Sequence, residues 1–125
     1  MVSLDIDADA VVTLRFMPPY QPQDERDYLD ALHRIGKRQE PYTLLTVFGG
    51  GRALSPAGER EQALWFKATR ERVSLFCRAC AIVRPDASET TADVFRRLWP
   101  FPIVAEREEA AGRAFLLLHH SGMSI

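Results

Sequence analysis

The sequence predicts an α/β protein with a mixed, mostly parallel sheet of four to five strands and about four helices. Apolar residues at every second position near the N-terminus predict a β-hairpin. After it, predicted helices and strands alternate, an order typical of parallel strands joined by right-handed crossovers. The chain of 125 residues is long enough for one core, and we expect a single domain over residues 1–125.

The N-terminal hairpin is predicted from apolar and polar residues that alternate over 2–6 and again over 12–16. Each strand therefore has one face to bury. The acidic link between them, residues 7–10, is short enough for an antiparallel turn. Proline-rich residues 17–22 cannot continue a central strand, because proline has no amide hydrogen to donate, and we expect an extended connector there.

The first helix and the central strand come next. Asp24 is the predicted N-cap of the helix, and Gly36 is its predicted end. Apolar residues at helical spacing form its inward stripe, namely Tyr28, Ala31, Leu32 and Ile35. The strand Tyr42–Phe48 is a continuous apolar run between a proline and three glycines, which is typical of a strand covered on both faces.

The second helix is predicted from about Ser55 to about Phe76, with Ser55 as its N-cap and Pro56 as its first residue. We expect a broad apolar face to lie on the sheet, made of Leu64, Phe66, Ala68, Thr69, Val73, Leu75 and Phe76. Trp65 lies beside this face, so we expect it to be partly exposed, as suits a residue of a protein interface.

The remaining predicted elements are a buried strand over Cys77–Val83, a short helix capped by Ser88, a short edge strand that ends at Val104, and a last helix over about 106–119. The spacing predicts that the last helix buries Ala111, Ala114, Phe115 and Leu118. Residues 121–125 are predicted to fray.

Composition and charge exclude several classes of function. The net charge of -1 argues against sequence-independent binding of nucleic acid, which requires a concentrated basic surface. No stretch approaches the roughly 20 apolar residues that span a bilayer. The first residues are acidic where a signal peptide would be basic and then apolar. We therefore expect a cytoplasmic protein with neither a nucleic acid nor a membrane as partner.

Three local features resemble the STAS-like domains, the fold of bacterial anti-sigma-factor antagonists. The first is the buried strand Leu44–Phe48, followed by a loop and a helix capped at Ser55. The second is the strand Cys80–Val83 after a long amphipathic helix that contains Trp65. The third is the segment Trp99-Pro100-Phe101-Pro102, followed by Val104 and by an alanine-rich last helix.

The resemblance implies both the fold and a regulatory function. In that family the loop between the central strand and the next helix carries a phosphorylatable Ser or Thr, and a partner kinase or anti-sigma factor docks around it. Ser55 is the hydroxyl residue at the corresponding helix start in this chain. The chain departs from the family pattern at 49–54, where glycines, an arginine, an alanine and a leucine stand in place of the expected acidic residue.

The glycine loop itself is a candidate anion site. Gly49, Gly50 and Gly51 match neither the P-loop nor the dinucleotide-binding motif. The P-loop requires Gly-Lys-Ser/Thr after its spacer, and Leu54 stands where the dinucleotide-binding motif has its third glycine. Free amides at a helix N-terminus, with Arg52 beside them, would still hold a phosphate or another anion. The simpler interpretation is a tight strand-to-helix turn in which Ser55 serves only as a cap.

Cysteine and histidine positions do not indicate catalysis, a metal site or a cofactor. Cys77 and Cys80 form a C-x-x-C that precedes a strand, whereas redox catalysis places this motif at the start of a helix. Residues three apart in a strand project to opposite faces, so we expect two buried or half-buried structural thiols on opposite faces. The histidines, His33, His119 and His120, lack a spacing that would bring two of them to one metal, and we expect them at the surface.

Two main hypotheses about function follow, and a third, an enzyme, would require a cleft that brings Ser55, a His and an acid within hydrogen-bond reach. The leading one is a non-enzymatic regulatory module that docks a protein partner, an anti-sigma-type kinase in the resembling family, through the loop 49–55 and the start of the next helix, with Ser55 as a phosphorylation site. The alternative is a small-molecule binding domain, with an anionic or amphipathic ligand near Arg52 and the segment Trp99–Phe101. Trp65, Trp99 and Phe101 are the aromatic candidates for an interface or a pocket, although such residues more often fill a core. Homodimerisation through a helix face or sheet edge stays open.

Overall fold

The structure, a computed structural model, describes residues 1–51 and 54–120, apart from the side chain of His120. The predicted order of a β-hairpin followed by alternating helices and strands is confirmed. The elements are β1 (Val2–Ile6), β2 (Val11–Phe16), α1 (Asp24–Gly36), β3 (Tyr42–Phe48), α2 (Pro56–Phe76), β4 (Cys77–Val83), α3 (Glu89–Arg96), β5 (Ile103–Glu106) and α4 (Glu109–His120). No helix in this part of the chain is long and apolar enough to cross a membrane.

The five strands form one sheet in the order β1-β2-β3-β4-β5. β1 pairs antiparallel with β2, from Val2 opposite Phe16 to Ile6 opposite Val12. The pairs β2–β3, β3–β4 and β4–β5 are all parallel, so the predicted mixed and mostly parallel sheet is confirmed. Because parallel strands point the same way, the carboxyl ends of β2 to β5 lie along one edge of the sheet.

Helices cover the sheet on both faces. Helices α1 and α2, together with α3, cover a first face on which Val12, Leu14 and Phe16 of β2 are buried. Helix α4 covers the second face, where Leu116 packs with Val11 of β2 and with residues of β3 and β4. The alternation of buried residues along β2 follows the two-residue period of a strand.

Helix α2 begins as predicted but buries fewer residues than predicted. The Ser55 hydroxyl oxygen accepts a hydrogen bond from the Gly58 amide at 3.1 Å, as an N-cap does. Of its 21 residues, Gly58, Trp65 and Val73 are buried, while Leu64 is 66% and Leu75 63% exposed. The predicted line of Phe66, Thr69, Val73 and Phe76 is buried or partly buried, and Phe66, Val73 and Phe76 pack in the core of the first face. The predicted widening of this line by Leu64, Ala68 and Leu75 is wrong, because all three are exposed. The helix packs mainly against α1 instead of lying flat on the sheet.

Two further expectations about the helices are also corrected. Asp24 is the first residue of α1, and Gln23 is its N-cap. In α4, Leu118 is 77% exposed and Ala114 is exposed, whereas Leu116 is 1% exposed. The buried face of α4 is set by Gly112: a Cβ there would lie 3.0–3.3 Å from side chains of Val83, Leu45 and Ala81, so only glycine lets the helix approach the sheet this closely.

The two cysteines lie on the same face of the sheet, contrary to the prediction. Between β3 and β4 the register shifts, so that Tyr42 pairs with Cys77 while Leu44 pairs with Cys80. This bulge places one extra residue in β4 and reverses the alternation of its side chains. Both thiols are buried in the core of the first face, and they are free.

Candidate functional site

A cavity of about 280 Å³ lies between the first face of the sheet and helices α1 to α3. Its floor is formed by β2, β3 and β4 near their carboxyl ends, with Leu14, Leu44 and Ile82 among the residues that line it. Open α/β sheets bind ligands outside the carboxyl ends of their strands where the strand order reverses. This sheet has no such reversal, and its cavity lies under the helices instead. The walls are rich in aromatic side chains, namely Phe16, Phe48, Trp65, Phe66, Phe95 and Trp99.

The aromatic wall brings together the two tryptophans that the sequence nominated. Trp65 and Trp99 are 3% and 5% exposed, and their rings meet edge to face with centroids 6.3 Å apart. Phe66 packs against both rings. The prediction that Trp65 is partly exposed at a protein interface is therefore wrong; it lines the cavity instead. Phe101 stacks behind Trp99 at 5.3 Å and does not line the cavity.

A pair of hydrogen-bonded polar side chains crosses the cavity wall. The Tyr28 hydroxyl donates to Gln62 Oε1 at 2.5 Å, joining α1 to α2. Burial raises the pKa of Tyr28, and the nearby positive charge of Arg84 opposes that rise without cancelling it. Tyr28 is thus a neutral phenol at ordinary pH. Since Gln62 Oε1 accepts this bond, its Nε2 atom is the donor that remains for another group.

Arg84, the residue directly after β4, is the one basic side chain among the described residues that line the cavity. Its side chain is 40% exposed, but its Nε atom is buried and has no hydrogen-bond partner in the described structure. Asp86 Oδ1 lies 3.3 Å from this nitrogen without the alignment of a hydrogen bond. Arg84 therefore brings a positive charge to the lining of the cavity, and its Nε–H has no aligned acceptor in the described structure.

The mouth of the cavity is its exposed side at the β3–α2 loop, where Gly51 is exposed. Gly50 and Gly51 line it, and both have φ +78°, a conformation that glycine adopts without strain. The Tyr20 hydroxyl donates to the Gly50 carbonyl at 2.6 Å and ties the loop to the β2–α1 connector. Arg52, which the sequence nominated for anion binding, lies outside the described residues.

Ser55 lies exposed at the rim, and its partner on α1 is an anion. The backbone amide of Ser55 donates to Glu25 Oε1 at 2.5 Å, and its hydroxyl donates to Glu25 Oε2 at 2.8 Å. The Glu25 carboxylate thus occupies the position at the α2 N-terminus where the sequence suggested an external phosphate. Of the predicted site, the structure places Gly50, Gly51 and Ser55 near the mouth of the cavity.

The other nominated chemistry does not assemble into a site. No group of three or more His, Cys, Asp and Glu residues that would hold a metal occurs within 1–51 and 54–120. Burial raises the pKa of Cys80 to about 12 and that of Cys77 well above its usual value, so both remain protonated thiols. His33 is half exposed and lies 2.9 Å from Glu61 on α2.

Arg84, Gln62 and Tyr28 are the site residues that sequence reasoning missed. A signal for Arg84 was present, because a charged residue directly after a buried parallel strand lies at the carboxyl edge of the sheet. Gln62 and Tyr28 gave no such signal. Their pairing depends on how α1 and α2 face each other, and residues 34 positions apart in a sequence show no contact.

Comparisons with known proteins identify no family. No protein-family model matches this chain, and no curated protein matches it. Among solved structures, DspI of Pseudomonas aeruginosa is similar over 98% of this chain and 74% of its own, with 11% identity and a TM-score of 0.40. A likeness this low carries no conclusion about family or function.

Proposed function

We propose that this protein is a small-molecule binding domain and that the aromatic cavity at the carboxyl edge of the sheet is its ligand site. The observation that carries this proposal is the cavity of about 280 Å³ itself. Protein interiors pack closely, and voids much larger than a water molecule are few. The volume is near the lower end for ligand pockets, roughly 300–1,000 Å³, which favours a small ligand.

The lining determines the kind of ligand. Eight of the twenty described lining residues are aromatic, and polar side chains such as Tyr28, Gln62 and Arg84 are fewer than apolar ones. Such a lining suits a mainly apolar body with a few fixed polar contacts. The proposal is one of binding and not of catalysis, and it corresponds to the sequence hypothesis of an amphipathic ligand, with Arg84 in the place given there to Arg52.

The two tryptophans provide a direct test. The chain contains two Trp residues, and both line the cavity, so both indole N–H signals in a ¹⁵N NMR spectrum report on it. Adding naphthalene-2-carboxamide, an uncharged aromatic probe, should shift both signals. Leu44→Phe should fill part of the cavity and lower the affinity about 10-fold, which corresponds to about 1.4 kcal/mol.

Val47→Ile is the matched control, because Val47 lies on the same strand but is buried on the second face. It should leave the affinity unchanged. If the probe moves neither indole signal in the unmodified protein, or if Leu44→Phe binds it as tightly as that protein does, the proposal is wrong.

The second candidate function is the bacterial, cytoplasmic regulatory module of STAS-like type. The observation in its favour is that Ser55 is exposed at the rim with its hydroxyl beside Glu25. A phosphate on Ser55 would add a charge of about -1.5 to -2 next to that carboxylate and alter the docking surface. Affinity capture with the unmodified protein, Ser55→Ala and Ser55→Glu would test it, since equal recovery of one partner by all three proteins contradicts a phosphorylation switch.

A further inference from the structure

We infer that the ligand of this cavity is an aromatic monocarboxylate and that Arg84 binds its carboxylate group. The inference rests on the proposed small-molecule function and adds the chemical class of the ligand. It is drawn from the one basic side chain of the described lining, from a second donor in that lining, and from the volume of the cavity and the aromatic residues of its walls.

The anion nearest to Arg84 Nε in the described chain is Asp86, whose Oδ1 lies 3.3 Å away without the alignment of a hydrogen bond. The Nε–H of Arg84 is buried without a hydrogen-bond partner in the described chain, and buried donors in native proteins are nearly always paired. The neighbouring Asp86 is 75% exposed and poorly aligned, so it competes weakly for the guanidinium. A carboxylate that entered through the mouth would accept from Nε–H in the charge-assisted geometry that arginine favours.

Gln62 supplies a second donor, and Glu59 limits the charge of the ligand. Gln62 Oε1 is taken by Tyr28, which leaves its Nε2 hydrogens for an acceptor. Glu59 is exposed and also lines the cavity. The single guanidinium of the described lining balances one negative charge on a ligand, and Glu59 repels a dianionic phosphate more strongly than a monocarboxylate.

The walls favour a flat ring system for the rest of the ligand. Phe16 and Phe48 lie on the sheet side, and Phe66 and Trp99 belong to the helical layer. Aromatic rings pack well edge to face or offset against such walls. A cavity of about 280 Å³ accommodates a small ring system and not a long acyl chain.

The test compares naphthalene-2-carboxylate with the uncharged naphthalene-2-carboxamide at neutral pH, with the indole N–H signals of Trp65 and Trp99 as the readout. The unmodified protein should bind the acid about 10-fold more tightly than the amide, as expected for one charge-assisted contact. Arg84→Gln should lower the affinity for the acid about 10-fold and leave the affinity for the amide within about 2-fold.

Two further variants sharpen the result. Asp86→Asn removes the carboxylate that competes for Arg84, so it should tighten binding of the acid and not of the amide. Arg72→Gln is the control, because Arg72 is an exposed arginine of α2 outside the cavity lining. It should change neither affinity.

The outcomes separate this inference from the function on which it rests. Equal affinity for the two probes, or an Arg84→Gln protein that keeps its preference for the acid, would overturn the carboxylate inference and leave small-molecule binding intact. If neither probe shifts either indole signal, both are wrong. Should Arg84→Gln fail to fold, the acid-to-amide ratio in the unmodified protein and in Asp86→Asn decides.

Discussion

Two glycines of the β3–α2 loop are required for different physical reasons. A Cβ on Gly49 would lie 2.3 Å from Pro18 Cδ and 3.2 Å from the Tyr20 hydroxyl, distances that leave no room for it. A Cβ on Gly51 would meet no heavy atom within 4 Å, but φ there is +78°. Packing therefore selects glycine at the first position, and backbone conformation selects it at the second.

This difference predicts opposite responses to side-chain size. Gly49→Ala should lower the free energy of unfolding by about 1–3 kcal/mol through overpacking, and Gly49→Asn should lower it more. Gly51→Ala should lower it by about 1–2 kcal/mol, and Gly51→Asn should lower it less, because asparagine tolerates the left-handed region. Urea denaturation of the four variants measures this, and a Gly51→Asn protein less stable than Gly51→Ala would contradict it.

For individual residues, the sequence predicted local features such as helix caps well and the burial of side chains poorly. Ser55 as N-cap follows from its own hydroxyl and the proline after it, and the structure confirms it. The burial of Trp65 follows from a surface on another helix: a Cβ on Gly36 of α1 would lie 2.8 Å from Trp65 Nε1. Because Gly36 and Trp65 are 29 positions apart, their contact could not be predicted from the sequence.

Among the elements, α2 depends most on a contact outside itself. Its N-terminal amides are stabilised by Ser55, and Ser55 is in turn held by Glu25 of α1 through two hydrogen bonds. A carboxylate at a helix N-terminus also interacts favourably with the helix dipole. The first turns of α1 and α2 are thus joined at the rim of the cavity.

A negative charge at position 55 should therefore be destabilising here, although it would favour an isolated helix. Ser55→Ala should cost about 1 kcal/mol through the lost cap. Ser55→Glu should cost more, because its carboxylate faces Glu25. In a Glu25→Gln background the penalty of Ser55→Glu should shrink toward that of Ser55→Ala, as measured by denaturant unfolding in a double-mutant cycle. An unchanged penalty in that background would show that the two side chains do not interact.

The types and order of the elements were predictable, and their buried faces were not always so. Helical periodicity in α2 and α4 identified an apolar stripe, but Leu64, Leu75 and Leu118 of those stripes are exposed. Which stripe is buried depends on the helix partner, α1 for α2 and the sheet for α4. The bulge at Cys77–Cys80 was not predictable either, because it arises from pairing with β3 and not from the sequence of β4.

For the whole molecule, the alternation of strand-like and helix-like hydrophobic patterns along the sequence was enough to predict a mixed α/β sheet that begins with a hairpin. The cavity was not predictable, since its volume is what remains when α2 packs on α1 and leaves the carboxyl ends of β2 to β4 incompletely covered. Three of the polar residues that line it, Tyr28, Gln62 and Arg84, come from α1, α2 and the end of β4. A candidate site of this kind is a property of the packed layers and not of a sequence motif.

A bidentate ion pair joins the second face of the sheet to helix α4. Arg15 of β2 donates from both terminal nitrogens to the Glu109 carboxylate, at 2.7 and 2.6 Å, and Arg113 adds a longer contact of 3.3 Å. Glu109 is the first residue of α4. The hydrogen bonds from Arg15 are the main cause that lowers the pKa of Glu109 below its usual value.

This ion pair predicts how the stability of the layered fold responds to acid. Because the pKa of Glu109 is lower in the folded than in the unfolded chain, its contribution is complete above the unfolded value, near 4.5, and is lost as the pH falls through the folded value. Both partners are about one-third exposed, so solvent screening limits the contribution to about 0.5–1 kcal/mol. Glu109→Gln should lose about this much free energy of unfolding at pH 7 and little at pH 3, as measured by urea unfolding.

Glu61, whose pKa falls to about 2 beside Arg26, also makes the stability sensitive to acid. The test therefore compares the free energy of unfolding of each variant with that of the unmodified protein at the same pH. Glu108→Gln, a change at the exposed neighbour, is the control, and an equal loss in both variants at pH 7 would show that the ion pair does not hold α4 on the sheet.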